Sequence, residues 1–477
     1  MTFFIIILYL INLIFALFLV FVKEKDTSVT WAWLLVFLSV PILGFFIYLF
    51  FGYGLSDKQK FIVETQNVKT VDEIQKFISS KTTSFSFPSD IDYRNTDFLY
   101  SLNKVPLSHY NKVDLILDGQ EKLSLLIEDL RKATDSIHLE YYAFVTDEAG
   151  LSILKVLEEK AKEGVSIKLL YDELGSKGTK KKYFKPLIDA GGIVSTFLTS
   201  QQMLLKFRMN YHNHRKIVVI DNQVSYIGGF NIADQYVKST KQFGYWRDTH
   251  IRILGPASTL LQLRFIMDWN ISVTESNKIS YRDKQLYQEI PNKEYSTDIQ
   301  IISSGPNNEK EQIKLTFIKL ILSAKSKVWI QTPYLIPDDS IINALEIAKR
   351  SGIDVKIMLP DKPDHPFIYR ATQFYESVLI KKDIEIYSYN GGFLHSKVLI
   401  IDDEISIVGS ANQDIRSYKL NFETSAMIFD TTFNRDLKEA FIKDLTKSTR
   451  VTYETFKMMP YWIRIKQKIS RLFSPIM

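Results

Sequence analysis

The chain has 477 residues, with 60 Lys and Arg against 54 Asp and Glu, 46% hydrophobic residues and no cysteine. That length implies two to three folding units with sizeable cores, and the lack of cysteine excludes disulfides, thiolate nucleophiles and cysteine metal sites. A net charge of +6 is too mild to point to nucleic acid, although it suits contact with anionic lipid heads.

The first element is apolar. Residues 2–22 carry no charged side chain, and a second uncharged stretch, 31–55, follows the polar run Lys23–Thr30. Each reaches about 20 residues, enough for a helix to cross the hydrocarbon core of a bilayer. The first lacks the basic start and small-residue cleavage site of a signal peptide. Residues 1–56 are therefore predicted to form a transmembrane hairpin, with spans of about 2–22 and 31–55. Pro41 falls inside the second span, and Trp31, Trp33, Tyr48 and Tyr53 lie near its ends. Lys23 and Lys25 in the connector nearly balance Lys58 and Lys60 after the hairpin. The charge bias is thus weak, and the expectation is a multi-pass cell-membrane protein with its catalytic domain in the cytoplasm.

Residues 57–110 read as a polar linker with one short helix. From 111 to 290, apolar runs such as KVDLILD, SIHLEYYAF and VSIKLLYDE alternate with amphipathic stretches such as EKLSLLIEDLRKAT and LSILKVLEEKAKEG. This is an α/β pattern, with strands sandwiched between helix layers. The order recurs in 291–455, where KEQIKLTFIKLILSAKS, VWIQTPYLI, INALEIAKRSG and IDVKIMLP read as helix, strand, helix and strand. Two halves of shared element order imply an internal duplication. Residues 456–477 form a basic tail in which Trp462, Ile465, Ile469, Leu472 and Phe473 recur at helical spacing among Arg464, Lys466, Lys468 and Arg471. Such a helix suits either an anionic membrane surface or docking on the protein itself, and the run Met203–Tyr211 is a second candidate membrane-facing element.

Each half carries one copy of His-x-Lys-x4-Asp. NHRKIVVIDNQVSYIGGFN places His214, Lys216, Asp221, Gly228, Gly229 and Asn231; LHSKVLIIDDEISIVGSAN places His395, Lys397, Asp402, Gly409, Ser410 and Asn412. Every pair is offset by 181 positions (395 − 214, 412 − 231), which joins two individually weak matches into one composite signal. In a strand, His and Lys two residues apart share a face. The glycines are expected to let backbone approach a bound anion, with the asparagines as further donors. Packing about a pseudo-twofold axis would place two imidazoles on opposite sides of one phosphorus. One could then attack to form a phosphohistidine while the other protonates the leaving alkoxide. Lys216, Lys397, Asn231 and Asn412 would stabilise the equatorial oxygens, so no metal or other cofactor is called for. Asp248 in YWRDTH and Glu423 in NFETSA are the candidate carboxylates for orienting the histidines. Asp221 and Asp402 belong to the motif set but read as structural, because each lies seven positions beyond its His. His212 ranks as a bystander and His138, His109 and His250 as structural, whereas His365 in PDKPDHPF is a candidate headgroup contact.

These motifs resemble the phospholipase D superfamily. A closer resemblance, to bacterial cardiolipin synthases, covers nearly the whole chain through NHRKIVVID, IGGFNIADQY, YWRDTH, QTPYLIP, PDKPDHPFIYRAT, GGFLHSKVLIIDD, GSANQDIRS and LNFE. Small departures are Ser396, where alanine is usual, and Gln413, where methionine is usual. The resemblance implies two phospholipase D-like halves that condense two phosphatidylglycerol molecules into cardiolipin and glycerol at an anionic membrane. It further implies that His214 is the nucleophile and His395 the general acid and base. Two alternatives remain: a phospholipid hydrolase of the same superfamily, and a membrane-held nuclease, against which the short basic stripes argue.

Overall fold

The computed structural model describes residues 2–21, 27–48, 52, 57–80, 85–86, 96–198, 210–281, 294–306 and 310–474. The run Met203–Tyr211 therefore falls mostly outside the described residues, as do Lys23, Lys25 and Tyr53.

Both halves build the same sheet in the same order. In the first, the strands lie side by side as Leu107–Ile116, His250–Leu254, Val224–Gly228, Lys216–Ile220, Ser136–Tyr141, Ser166–Tyr171 and Ile193–Thr196. In the second they run Thr297–Ser304, Glu423–Phe429, Ile405–Gly409, Val398–Ile401, Lys327–Gln331, Asp354–Pro360 and Glu385–Tyr389, with Ser448–Val451 added at the outer edge. Antiparallel pairing of Thr297–Ser304 with Leu107–Ile116 joins the halves into one mixed sheet, so the strand order is mirrored about that junction. The duplicated sequence thus yields a duplicated α/β fold with a pseudo-twofold relation.

The strands carrying the motifs are buried on both faces. Every residue of Lys216–Ile220 and of Val398–Ile401 is buried, which accounts for their continuous β-branched and aliphatic runs. Outer helices Gly119–Lys132 and Glu148–Lys162 cover one face of the first half. Gln312–Ser323 and Asp339–Arg350 do the same for the second half. Asp118, Asp147 and Asp338 cap the N-termini of three of these helices, accepting backbone N–H bonds as N-cap residues do. The inner faces share one core with the helices Ala257–Ser272 and Thr431–Leu445, drawing Ile217, Ile251, Leu260, Val398, Val408, Ala426 and Phe441 into a single cluster.

Residues 57–110 are more ordered than a linker with one short helix. They hold the helices Asp57–Ser80 and Thr96–Asn103, and the central sheet already begins at Leu107. The reason lies in a local apolar patch that the polar average conceals: Val63 is fully buried against Phe265, Ile266 and Trp269, with Ile62 beside it.

Ahead of this, the chain forms the helices Thr2–Phe21, Thr27–Ser39 and Pro41–Ile47. The second expected span is thus broken at Val40, where proline follows and cannot continue the ladder. Among the described residues no helix is long and apolar enough to cross a membrane. At the other end, the helix Tyr461–Leu472 lies along Pro366–Ile380, where Gln467 Nε2 donates to Gln373 Oε1 at 3.3 Å.

Candidate active site

The two motif histidines are brought together by an exchange between the halves. Phe393–Leu394, just ahead of His395, pairs in parallel with Trp246–Arg247, just ahead of Asp248. The same relation recurs through a parallel bridge between Asn213 and Phe422, which precede His214 and Glu423. The backbone N–H of His214 donates to the Phe422 carbonyl at 2.9 Å, and that of His395 to the Arg247 carbonyl at 2.7 Å. This pairing carries each histidine to the carboxylate of the opposite half. His214 Nδ1 lies 2.9 and 3.0 Å from the two oxygens of Glu423, and His395 Nδ1 lies 2.6 Å from Asp248 Oδ2. Both carboxylates are fully buried. A carboxylate on Nδ1 fixes the proton there and leaves Nε2 as the free nitrogen.

Burial governs the electrostatics. It pushes His214 and His395 down to about 4, although Glu423 and Asp248 each pull the other way. It likewise lowers Lys216 to about 7 and Lys397 to about 8. Burial alone would raise Glu423, yet His214, Lys216 and the Ser410 hydroxyl hold its carboxyl below the usual range. Lys216 Nζ donates to the His214 carbonyl at 2.6 Å, and Lys397 Nζ bonds the His395 carbonyl in the same way. Each ammonium is thereby tied to the backbone of its own histidine. An anion arriving between these groups would favour their charged forms.

The remaining motif residues build the frame. A Cβ on Gly229 would lie 2.0 Å from Asp248 Oδ1, and the Gly229 N–H is already spent on the Thr249 carbonyl at 2.9 Å. The glycine therefore makes room for a carboxylate, not for an approaching anion as the sequence suggested. At the matching position the Ser410 hydroxyl donates to Glu423 Oε2. Asn231 accepts from the Ala143 N–H at 3.1 Å and donates to the Tyr236 hydroxyl at 2.8 Å, and Asn412 donates to Asp414 at 3.1 Å. Asp221 and Asp402 sit at the far ends of the motif strands, with φ of 49° and 56°. Asp221 accepts the N–H groups of Thr134, Asp135 and Ser136 at 2.8–2.9 Å, and Asp402 those of Lys325, Ser326 and Lys327 at 2.7–2.9 Å. They latch the motif strand to its antiparallel neighbour, at the end of the strand away from the histidines.

His214, His395, Asn231 and Asn412 open onto one cavity of about 390 Å³. His212 and His365 also line it, the first on the same side as His214. His138, His109 and His250 lie elsewhere: His138 bonds Gln262 and His109 bonds Asp298, while His250 is buried. Sequence reasoning missed Tyr142, Tyr334, Asp364 and Arg416 in the cavity wall. Tyr142 sets its ring edge-on to His214, with centroids 4.9 Å apart, and its place in the strand-like run EYYAF gave no signal for this. Among the described residues no cluster of His, Asp or Glu could hold a metal ion.

Comparison with known proteins agrees with this geometry. The family model described as cardiolipin synthase, PLD-like domain, matches residues 126–245 and 317–445, one copy per half. A second, described as the phospholipase D-nuclease N-terminal model, matches residues 7–52. The chain is 44% identical to a cardiolipin synthase of Listeria monocytogenes over 100% of its own length and 99% of that protein. It is also 44% identical to the major cardiolipin synthase of Bacillus subtilis, over 98% of each chain. Among solved structures, phosphatidylserine synthase of Haemophilus influenzae superposes with a TM-score of 0.62 at 16% identity, covering 79% of this chain and 98% of that one, which speaks to the fold. The chain belongs to the cardiolipin synthase family, an α/β phospholipase D-like group.

Proposed function

We propose that the chain is a membrane-bound cardiolipin synthase that transfers a phosphatidyl group from one phosphatidylglycerol to another, releasing glycerol. The observation that carries this reading is the pair of histidines, each held through Nδ1 by a buried carboxylate of the opposite half and both facing one cavity. His214 Nε2, neutral because burial depresses it, attacks the donor phosphorus. The bond from phosphorus to the glycerol oxygen breaks, and His395, whose proton affinity rises with the bound phosphate, protonates the leaving alkoxide. Neutral His395 then takes the proton from the acceptor's hydroxyl, which attacks the phosphohistidine and frees His214. Lys216 and Lys397 regain full charge beside the phosphate and stabilise its equatorial oxygens, while Asp248 and Glu423 stabilise whichever imidazolium forms. The assignment of His214 rather than His395 as nucleophile rests on family resemblance. The division into halves at 111–290 and 291–455 belongs to the same reading, and the mirrored strand order supports it.

Two features support the membrane side of the proposal. Phe3, Leu13, Ile14, Leu17, Trp31, Leu38, Leu43 and Phe46 of the amino-terminal helices all expose apolar surface, which suits a hairpin in lipid with spans near 2–22 and 31–55. The tail helix presents Tyr461, Trp462, Ile465, Ile469 and Leu472 outward, beside exposed Arg464, Lys466 and Lys468. Tail and hairpin meet where Phe473 packs on the cluster of Trp33, Val36 and Phe37, and the next residue, Ser474, lines the catalytic cavity. A lipid headgroup could thus enter without leaving the interface, with the catalytic domain in the cytoplasm. Incubating purified protein with vesicles of phosphatidylglycerol alone tests the reading, the expected product being a lipid with two phosphates.

A further inference from the structure

The duplicated site departs from its symmetry at Arg416. Gln235 and Arg416 occupy matching positions, offset by the same 181 residues as the motifs (416 − 235), and both line the cavity with His214 and His395. One wall therefore carries an amide where the other presents a guanidinium, with Asp414 beside it where the first wall has Ala233. Arg416 is half-buried and makes only neutral contacts. Its Nη1 donates to the Asn210 carbonyl at 2.9 Å and to Asn421 Oδ1 at 3.5 Å, and its Nη2 bonds Asn210 Oδ1. Among the described residues no carboxylate forms an ion pair with it. Asp414, two positions earlier, is spent on the Ser417 N–H at 2.6 Å and on Asn412 Nδ2 at 3.1 Å. Asp414 thus acts on Arg416 through space without bonding it, and a partly desolvated planar guanidinium suits phosphate oxygens.

We propose that Arg416 holds the phosphodiester of the second, accepting lipid, while the two histidines and two lysines hold that of the donor. This rests on the reading of the function given above. The reaction brings two anions into one cavity, and Lys216 and Lys397 are tied by hydrogen bonds to the backbone of the histidines that flank the donor phosphorus. The acceptor's attacking hydroxyl and its own phosphate are separated by a three-carbon glycerol unit, so that phosphate must sit in the wall next to the histidines and needs its own cation. Gln235 in the matching wall would then fix which side receives the acceptor.

Condensation and headgroup exchange, compared in the same phosphatidylglycerol vesicles, test this directly. Condensation is read as lipid with two phosphates, and exchange as labelled free glycerol entering phosphatidylglycerol. Glycerol is a neutral acceptor that uses the same histidines and carries no second phosphate. Arg416→Gln is expected to lose about a hundredfold in condensation, as for removal of a charge-assisted pair, while exchange stays near the wild-type rate. Arg416→Lys is expected to recover part of the condensation. Equal loss of both reactions in folded Arg416→Gln protein, or undiminished condensation, would overturn the inference and leave the functional reading standing. Wild-type protein that exchanges glycerol yet forms no two-phosphate lipid would sink the functional reading itself. Inorganic phosphate is expected to leave condensation unchanged. If it blocks condensation in the wild type and not in Arg416→Gln, the site is one for free phosphate and the assignment to a lipid fails.

Discussion

Glu423 reaches across the pseudo-twofold axis to hold the imidazole of His214, 209 residues earlier in the chain, through both of its carboxylate oxygens. Asp248 holds His395 through one oxygen, Oδ2, across 147 residues. Neither half is thus complete alone, because each supplies the imidazole of one dyad and the carboxylate of the other.

Replacing the carboxylate without changing its shape tests that dependence. Glu423→Gln is expected to keep the fold but reduce kcat roughly a thousandfold, since an amide neither fixes the Nδ1 tautomer nor stabilises the imidazolium. Asp248→Asn should behave alike. Adding Glu423→Gln to His214→Ala should cost little more than His214→Ala alone, because the two act as one unit; additive losses in single-turnover assays would contradict the pairing.

The depressed lysines set a pH limit. With Lys216 near 7 and Lys397 near 8 in the empty site, their ammonium forms are fully present only below those values. An anionic lipid binds the charged forms, so kcat/KM should fall as pH rises through 7 to 8, whereas kcat at saturating lipid should hold to higher pH. A KM independent of pH up to 9 would show that the lysines do not meet the phosphate.

The histidines make a separate statement about stability. Their folded-state values near 4 lie below the ordinary 6.5, so the unfolded chain binds more protons between those limits. Their contribution is intact above about pH 6.5 and is lost as pH falls towards 4. Denaturant unfolding of His214→Gln should show a shallower loss of stability across that window than the wild type.

Asp221 and Asp402 should affect folding more than chemistry. Asp221→Asn or Asp402→Asn puts an amide against a row of three backbone donors, a cost of about 1–3 kcal/mol. Thermal unfolding should register that cost, while turnover per folded molecule stays at the wild-type level.

The tail supplies a membrane prediction. Trp462→Ser combined with Ile469→Ser removes exposed apolar surface without touching the buried Gln467 and Ser470. Weaker binding of the carboxy-terminal segment to anionic vesicles, with unchanged melting, is the expected outcome. Lower melting with unchanged binding would mean that the helix serves the fold alone.

Much of this was legible in the sequence. The constant offset between motifs announced the duplication, and the apolar runs around Ile217 and Leu399 announced buried strands, because repetition and burial both leave linear marks. Asp248 and Glu423 were legible as partners by their matching positions. Their exchange between halves was not, since it depends on the parallel pairing of Trp246–Arg247 with Phe393–Leu394, and pairing between distant two-residue segments leaves no periodicity. Gly229 misled for a related reason: the sequence shows that space is needed there, and only the fold shows that Asp248 fills it. Residues 57–110 were read as a linker because their average is polar, although the long helix docks through Val63 and Ile62.

The most direct test of the account is the product balance in vesicles of phosphatidylglycerol alone. It predicts one glycerol released for each two-phosphate lipid formed, with both products lost in His214→Ala and in His395→Ala. Glycerol release accompanied by phosphatidic acid as the only lipid product would contradict it, showing that water and not a second lipid accepts the phosphatidyl group.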